Sequence, residues 1–279
     1  MKTATPSKVV GLCGLCEATT YLCDSHLIPA SLFRLLRSTT VIPCDPVKIT
    51  PRSTARTSRQ VSDYLLCVNC EARLRESGED WVVRNCYRGG TVFPLRDNVL
   101  KSQVVDVGDV AKIYSTKSNP DIDSGALTFF GASVFWRAAV HDWGLPGLPV
   151  ALGPYREPLR KYLLGQGPFP ASAAVWVWVS GYDEPSRAIS LPHSGKFDSC
   201  HIHTFGIPGM RFDLLLGRAL SQTSRLLCIK NGPDRPILLS RAPDDMLATD
   251  VDKLSKLTQI SRALQKQGVW DWSLWSRTK

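Results

Sequence analysis

Residues 11–29 read GLCGLCEATTYLCDSHLIP, and residues 62–79 read SDYLLCVNCEARLRESGE. Each stretch holds a Cys-x-x-Cys pair, Cys13 with Cys16 and Cys67 with Cys70. Such a knuckle presents two thiolates from one tight turn, and two knuckles complete a tetrahedral shell for zinc. The four cysteines are therefore expected to hold one structural Zn(II) that organises the first third of the chain. Gly14 suits the close backbone turn that a knuckle needs. Residues 17–66 separate the two pairs, well beyond the roughly 15–20 residues of a compact zinc ribbon. An arm or a structured insert must fill that interval. The chain has nine cysteines, an odd number for a disulfide framework, and a reducing compartment favours metal over disulfide. Cys23, Cys44 and Cys86 lack a Cys-x-x-Cys partner, while Cys200 and Cys228 lie in apparent strands and read as buried apolar residues.

Outward from the knuckles, Ala30 to Ser38 (ASLFRLLRS) has the spacing of a short amphipathic helix. Residues 43–62 carry Pro43, Pro46 and Pro51 with Lys48, Arg52, Arg56 and Arg59, and no acidic residue after Asp45. They read as a loop and a candidate phosphate-contacting arm, and the same composition fits a solvated linker. A short helix is predicted after Cys70. Leu127 to Trp143 is apolar nearly all round and predicts a buried helix. Tyr155 to Leu164 predicts an amphipathic helix with a basic face. From Ala171 onward, short β-branched and aromatic runs (AAVWVWVSGY, SRAISLP, CHIHTFGI, MRFDLLLG, RLLCIKNG, PILLS) alternate with Gly, Pro and Asp, the pattern of an antiparallel sheet. His201 and His203 fall on one side of one of these strands. Val251 to Gln267 predicts a terminal helix, and Trp270, Trp272 and Trp275 with Arg277 and Lys279 make a basic, aromatic end. The expected architecture is α+β. A zinc-bound module spans residues 9–90, a helix-plus-antiparallel-sheet domain spans 91–245, and a C-terminal helix and tail span 246–279.

A hydrophobic share of 43% with 21% charged residues is that of a folded globular chain. The net charge of +9 is unevenly placed. Residues 1–100 hold 13 Lys/Arg against 9 Asp/Glu, residues 101–245 hold 15 against 13, and residues 246–279 hold 6 against 3. The positive field therefore sits at the two ends, which favours a polyanion such as nucleic acid as partner. A protein partner or a homo-oligomer stays open. No apolar run approaches the ~20 residues that span a bilayer, and the N-terminus lacks a signal-peptide core and cleavage site; a cytoplasmic protein is expected. No phosphate-binding P-loop, no Gly-x-Gly-x-x-Gly and no Gly-x-Ser-x-Gly elbow is present, which leaves nucleotide hydrolysis, dinucleotide chemistry and α/β-hydrolase chemistry without their signatures.

One further pattern joins the knuckles. CGLC, Ser25-His26-Leu27-Ile28-Pro29, Leu65-Leu66-Cys67-Val68-Asn69-Cys70-Glu71 and Glu79 occur in that order. This order resembles the HNH (ββα-metal) nucleases, closest to bacterial HNH-like proteins with a four-cysteine zinc site. The likeness extends into FFGASVFWRAAV and LGPYREPLRKYLL, so it covers about residues 10–165. The resemblance implies a small ββα module and metal-dependent hydrolysis of phosphodiester bonds in DNA or RNA, as in bacterial defence or mobile-element biology. His26 would be the general base, zinc the scaffold, and a Mg(II) or Mn(II) ion the electrostatic catalyst. Glu71 is the leading oxygen ligand, with Asn69 and Glu79 as further candidates. Asp24 takes the position of the family's ligand displaced by one residue, because Ser25 directly precedes His26. A catalytically inactive zinc-stabilised module that binds nucleic acid or protein is the alternative, with His26 hydrogen-bonded inside the fold.

Overall fold

A computed structural model describes residues 9–37, 45–49, 54–145, 147–185 and 187–241. Arg52, Cys44, the Arg56 side chain, the terminal helix expected at 251–267 and the tryptophan-rich end lie outside the described residues.

The first strands frame the knuckles. β1 (Val10–Leu12) and β2 (Thr19–His26) flank the first cysteine pair, and α1 (Ala30–Leu36) follows Pro29. β3 (Val47–Ile49) and β4 (Thr54–Arg56) pair as an antiparallel hairpin, so the segment read as a loop contains regular structure. β5 (Ser62–Cys67) pairs antiparallel with β2, giving a three-stranded sheet in the order β1-β2-β5. Where the ladder slips between Cys23 and Asp24, the buried Ser25 hydroxyl accepts the Leu66 N–H at 3.0 Å and donates to the Cys23 carbonyl at 3.4 Å. The register irregularity thus leaves no orphan donor at Leu66.

β5 runs directly into α2 (Val68–Leu74). That helix continues through one π-helical turn, Arg75–Glu79, into α3 (Asp80–Asn85). Gly78 explains the tight approach of this turn to a later helix, since a Cβ there would stand 2.9 Å from the Phe130 backbone nitrogen and 3.0 Å from the Ala126 carbonyl oxygen.

That later helix is α5 (Ser124–Val140). It is preceded by α4 (Pro94–Val99), β6 (Gln103–Val107) and β7 (Ala111–Ser115), and followed by α6 (Arg156–Leu164), β8 (Ala173–Ser180), β9 (Ser190–Phe197), β10 (Cys200–Ile207), β11 (Met210–Leu216), α7 (Gln222–Leu226) and β12 (Pro236–Ser240). Asp123 caps α5 by accepting the Ala126 N–H at 2.8 Å. The helix is buried all round because one side lies on β8, β9 and β11 and another meets α2, α3 and the π-helical turn, with α6 alongside. Phe130 and Phe135 of α5 meet Phe205 and Phe212 of the sheet, and the latter two rings stack at 5.0 Å.

The sheet has seven strands in the order β6-β7-β12-β8-β11-β10-β9. It is not purely antiparallel: β12 runs parallel to β8, while the other neighbours are antiparallel. RLLCIKNG, read as a strand, instead holds the end of α7 and a turn. Ser221 caps that helix by accepting the Ser224 N–H at 3.1 Å, a local signal that overrides the apolar run. The molecule is thus α+β, and its buried side chains form one connected core from Cys13 to Leu239 that crosses residue 90. No described helix is long and apolar enough to cross a membrane.

Candidate metal centre

Cys13, Cys16, Cys67 and Cys70 place one sulfur each within 4.8 Å of every other. Cys16 Sγ and Cys67 Sγ are 3.8 Å apart, too far for a disulfide at about 2.05 Å. A tetrahedron with metal–sulfur bonds of about 2.3 Å has sulfur–sulfur edges of about 3.8 Å. The set can therefore hold a metal ion such as zinc, and among the described residues it is the sole group of three or more ligand-type side chains that converges in this way.

The local chain explains the geometry. In the first knuckle the Cys13 N–H donates to the Ala18 carbonyl and the Glu17 N–H to the Cys13 carbonyl, each at 2.9 Å. Glu17, with φ 61°, takes the left-handed conformation that closes the turn. Gly14 packs closely on β5. Its N–H donates to the Leu65 carbonyl at 2.9 Å, and a Cβ would stand 2.7 Å from the Leu65 side chain. The second knuckle spans the strand-to-helix junction, where Cys67 is the N-cap of α2 and Cys70 lies one turn on. The Cys67 N–H points at Cys13 Sγ, 3.3 Å away, so the backbone of one knuckle already donates to a sulfur of the other.

The thiols differ in acidity. Burial pushes Cys13 up, but backbone N–H groups of Cys16, Cys67 and Leu15 outweigh it and leave Cys13 at about 7. Cys70 is pushed up by burial and by the neighbouring Cys67 thiol, and Cys16 is raised chiefly by burial. Clustered thiolates repel one another, and a bound cation offsets that like charge.

A basic residue missed in the sequence secures the first knuckle from outside. Arg160 of α6 donates to the Leu15 carbonyl at 2.8 Å, lies 3.4 Å from Glu17, and is itself held by Glu157 at 2.7 and 2.9 Å.

The other sequence candidates are spread around this centre. His26 ends β2, opposite Ser62, and is half-buried; among the described residues no side chain hydrogen-bonds its imidazole. Its backbone carbonyl accepts from Arg137 at 2.8 Å. Asp24, two residues back, is exposed. Asn69 is exposed on α2, whereas Glu71 is half-buried with its Oε1 buried and lacking a hydrogen-bond partner among the described residues. Two residues apart on a helix, those side chains point to different faces. Glu71 lies beside Cys23, whose thiol is raised first by burial and then by the Glu71 charge. Glu79 is committed elsewhere: it is buried and accepts from Arg137 at 2.6 Å. Lys48 and Arg59 are exposed in the insert.

Two further groups adjoin the end of β2. His141, just past α5, has Nε2 2.8 Å from Asp63 Oδ2, and Asp63 sits opposite Ser25 in the ladder. The hydrogen bond from His141 holds the Asp63 carboxyl below its usual range. A signal for Arg137 existed in the sequence, since a lone cation in the apolar run SVFWRAAV needs a buried partner. Nothing local marked Asp63 and His141 as neighbours across 78 residues. On the sheet, His201 is exposed and His203 buried, with Nδ1 2.8 Å from the Ser194 hydroxyl, so the two imidazoles do not share an environment.

No protein-family model, curated protein or solved structure matches this chain.

Proposed function

We propose that this chain is an HNH-like, metal-dependent phosphodiesterase acting on DNA or RNA, built on a structural zinc at Cys13, Cys16, Cys67 and Cys70. The observation that carries the reading is the position of His26. Its half-buried imidazole, with no described side-chain partner, closes the strand that pairs with β5, and β5 leads into the helix of the second knuckle. The pairing of β2 with β5 and the run of β5 into α2 support a ββα reading in which α1, β3 and β4 are an insert between the two strands. His26 takes the proton from the attacking water. The Glu71 Oε1, a hard oxygen buried without a described partner, suits Mg(II) or Mn(II), and such an ion would stabilise charge on the phosphoryl group when bound. Lys48 and Arg59 contact backbone phosphates, together with Arg52 and Arg56 of the same insert.

A specific observation favours a second reading, a non-catalytic zinc-stabilised module that binds nucleic acid or protein. Among the described residues no oxygen and nitrogen ligands converge around His26, and Glu79 is taken by Arg137. Plasmid cleavage with Mg(II) or Mn(II), comparing the wild type with His26→Ala and Glu71→Gln, separates the two. Hydrolysis predicts cleavage by the wild type and at least a hundredfold loss in His26→Ala with its thermal transition retained. DNA or RNA binding without any cleavage, unchanged by His26→Ala, supports the second reading and refutes the first.

A further inference from the structure

We propose that the C-terminal end of α5 is the positioning element of the His26 site, acting through Arg137 on the strand that carries the imidazole and through His141 on the strand beside it. The inference rests on the hydrolytic reading above. Arg137 is 1% exposed. One nitrogen of its guanidinium donates to the His26 carbonyl at 2.8 Å and the other to Glu79 Oε1 at 2.6 Å. A single planar, permanently charged fork thus ties the last residue of β2 to the end of the π-helical turn.

The fork is itself held. The Trp143 indole N–H donates to the Arg137 carbonyl at 3.0 Å, and the Trp143 ring meets the His141 ring edge-on with centroids 4.9 Å apart. His141 then reaches Asp63 at 2.8 Å. Asp63 pairs with Ser25, and the next rung pairs Ser62 with His26. Two adjacent rungs of the β2–β5 ladder are therefore fixed from one helix end.

A buried ion pair often adds no more stability than a well-packed apolar replacement. The one charged residue of a buried helix therefore calls for a geometric reason, and the peptide of His26 supplies one. A catalytic group displaced by about 1 Å can lose about a hundredfold in rate. Neither Arg137 nor His141 touches reacting atoms here; both act through the backbone that orients His26.

The test uses the full zinc-loaded chain with His141→Gln, Asp63→Asn and Arg137→Lys. The first two alter a half-exposed pair and keep the fold in reach if Arg137→Lys does not fold. Two quantities are read: the ring 15N chemical shifts of His26 by NMR, and kcat and KM for plasmid cleavage with Mg(II). The expected result is displaced His26 resonances in each folded variant and kcat lowered about ten- to a hundredfold at nearly constant KM. Wild-type kcat in His141→Gln and Asp63→Asn overturns the inference while leaving the hydrolytic reading intact. If the wild type cleaves nothing, the hydrolytic reading fails and the inference falls with it.

Discussion

His203 shows how one side chain can make the fold sensitive to acid. It is buried between the sheet and Phe135, with its Nε2 lacking a partner among the described residues. Burial, reinforced by His201 and His193, lowers it to about 4. In the unfolded chain it titrates near 6.5. Between these values the unfolded state binds a proton that the folded state refuses, so stability falls as pH drops from about 6.5 to 4, by an amount on the order of 3 kcal/mol. Urea unfolding of the wild type and His203→Gln across that range checks this; the variant should lose most of that slope. At the same scale, the structure adds to the reading of a knuckle residue. Gly14 was expected to serve a tight turn; the left-handed conformation in that turn belongs to Glu17, and Gly14 packs closely on the Leu65 side chain. Spacing reveals that a knuckle forms; it does not reveal which residue carries its conformational cost.

Among elements, the crossing of α5 over the π-helical turn is a close joint between the cysteine-bearing part and the helix that lies on the large sheet. Gly78→Ala would push a methyl group into the backbone of Phe130 and Ala126. It should destabilise the fold by roughly 1–3 kcal/mol, seen as a lowered melting temperature with metal content unchanged. The helix α6 acts differently, by reaching the first knuckle with Arg160. Arg160→Met should weaken zinc binding about ten- to a hundredfold, measured by competition with a chromogenic chelator, while Arg160→Lys should recover part of that loss. The elements themselves were largely legible. The apolar run around Leu127–Trp143 marked α5, and the charged stripe at 155–164 marked α6, because burial on all sides and burial on one face leave different periodicities. RLLCIKNG misled because a serine cap outweighs an apolar run at so short a length, and the parallel pairing of β12 with β8 was hidden because strand direction leaves no mark in composition.

At the scale of the molecule, one core joins the knuckles to the sheet, so loss of the metal should be felt far from it. Removing zinc with a strong chelator is expected to lower the melting temperature of the whole chain, with the near-ultraviolet dichroism of Trp136 and Trp143 lost in the same transition. An unchanged transition would show that packing alone holds the first half in place. The cysteine cluster was readable from the sequence since paired spacing is itself the chemistry. The surroundings of His26 were not, because Arg137, Glu79, Asp63 and His141 meet only through long-range packing. The central claim is that one ion joins Cys13, Cys16, Cys67 and Cys70. Metal analysis of the purified chain combined with X-ray absorption at the zinc edge tests it most directly. One zinc per chain with four sulfur neighbours at about 2.3 Å is the predicted result, reduced to fewer sulfurs in Cys16→Ser; a chain that is fully folded without bound metal, or zinc ringed by nitrogen and oxygen, would contradict it.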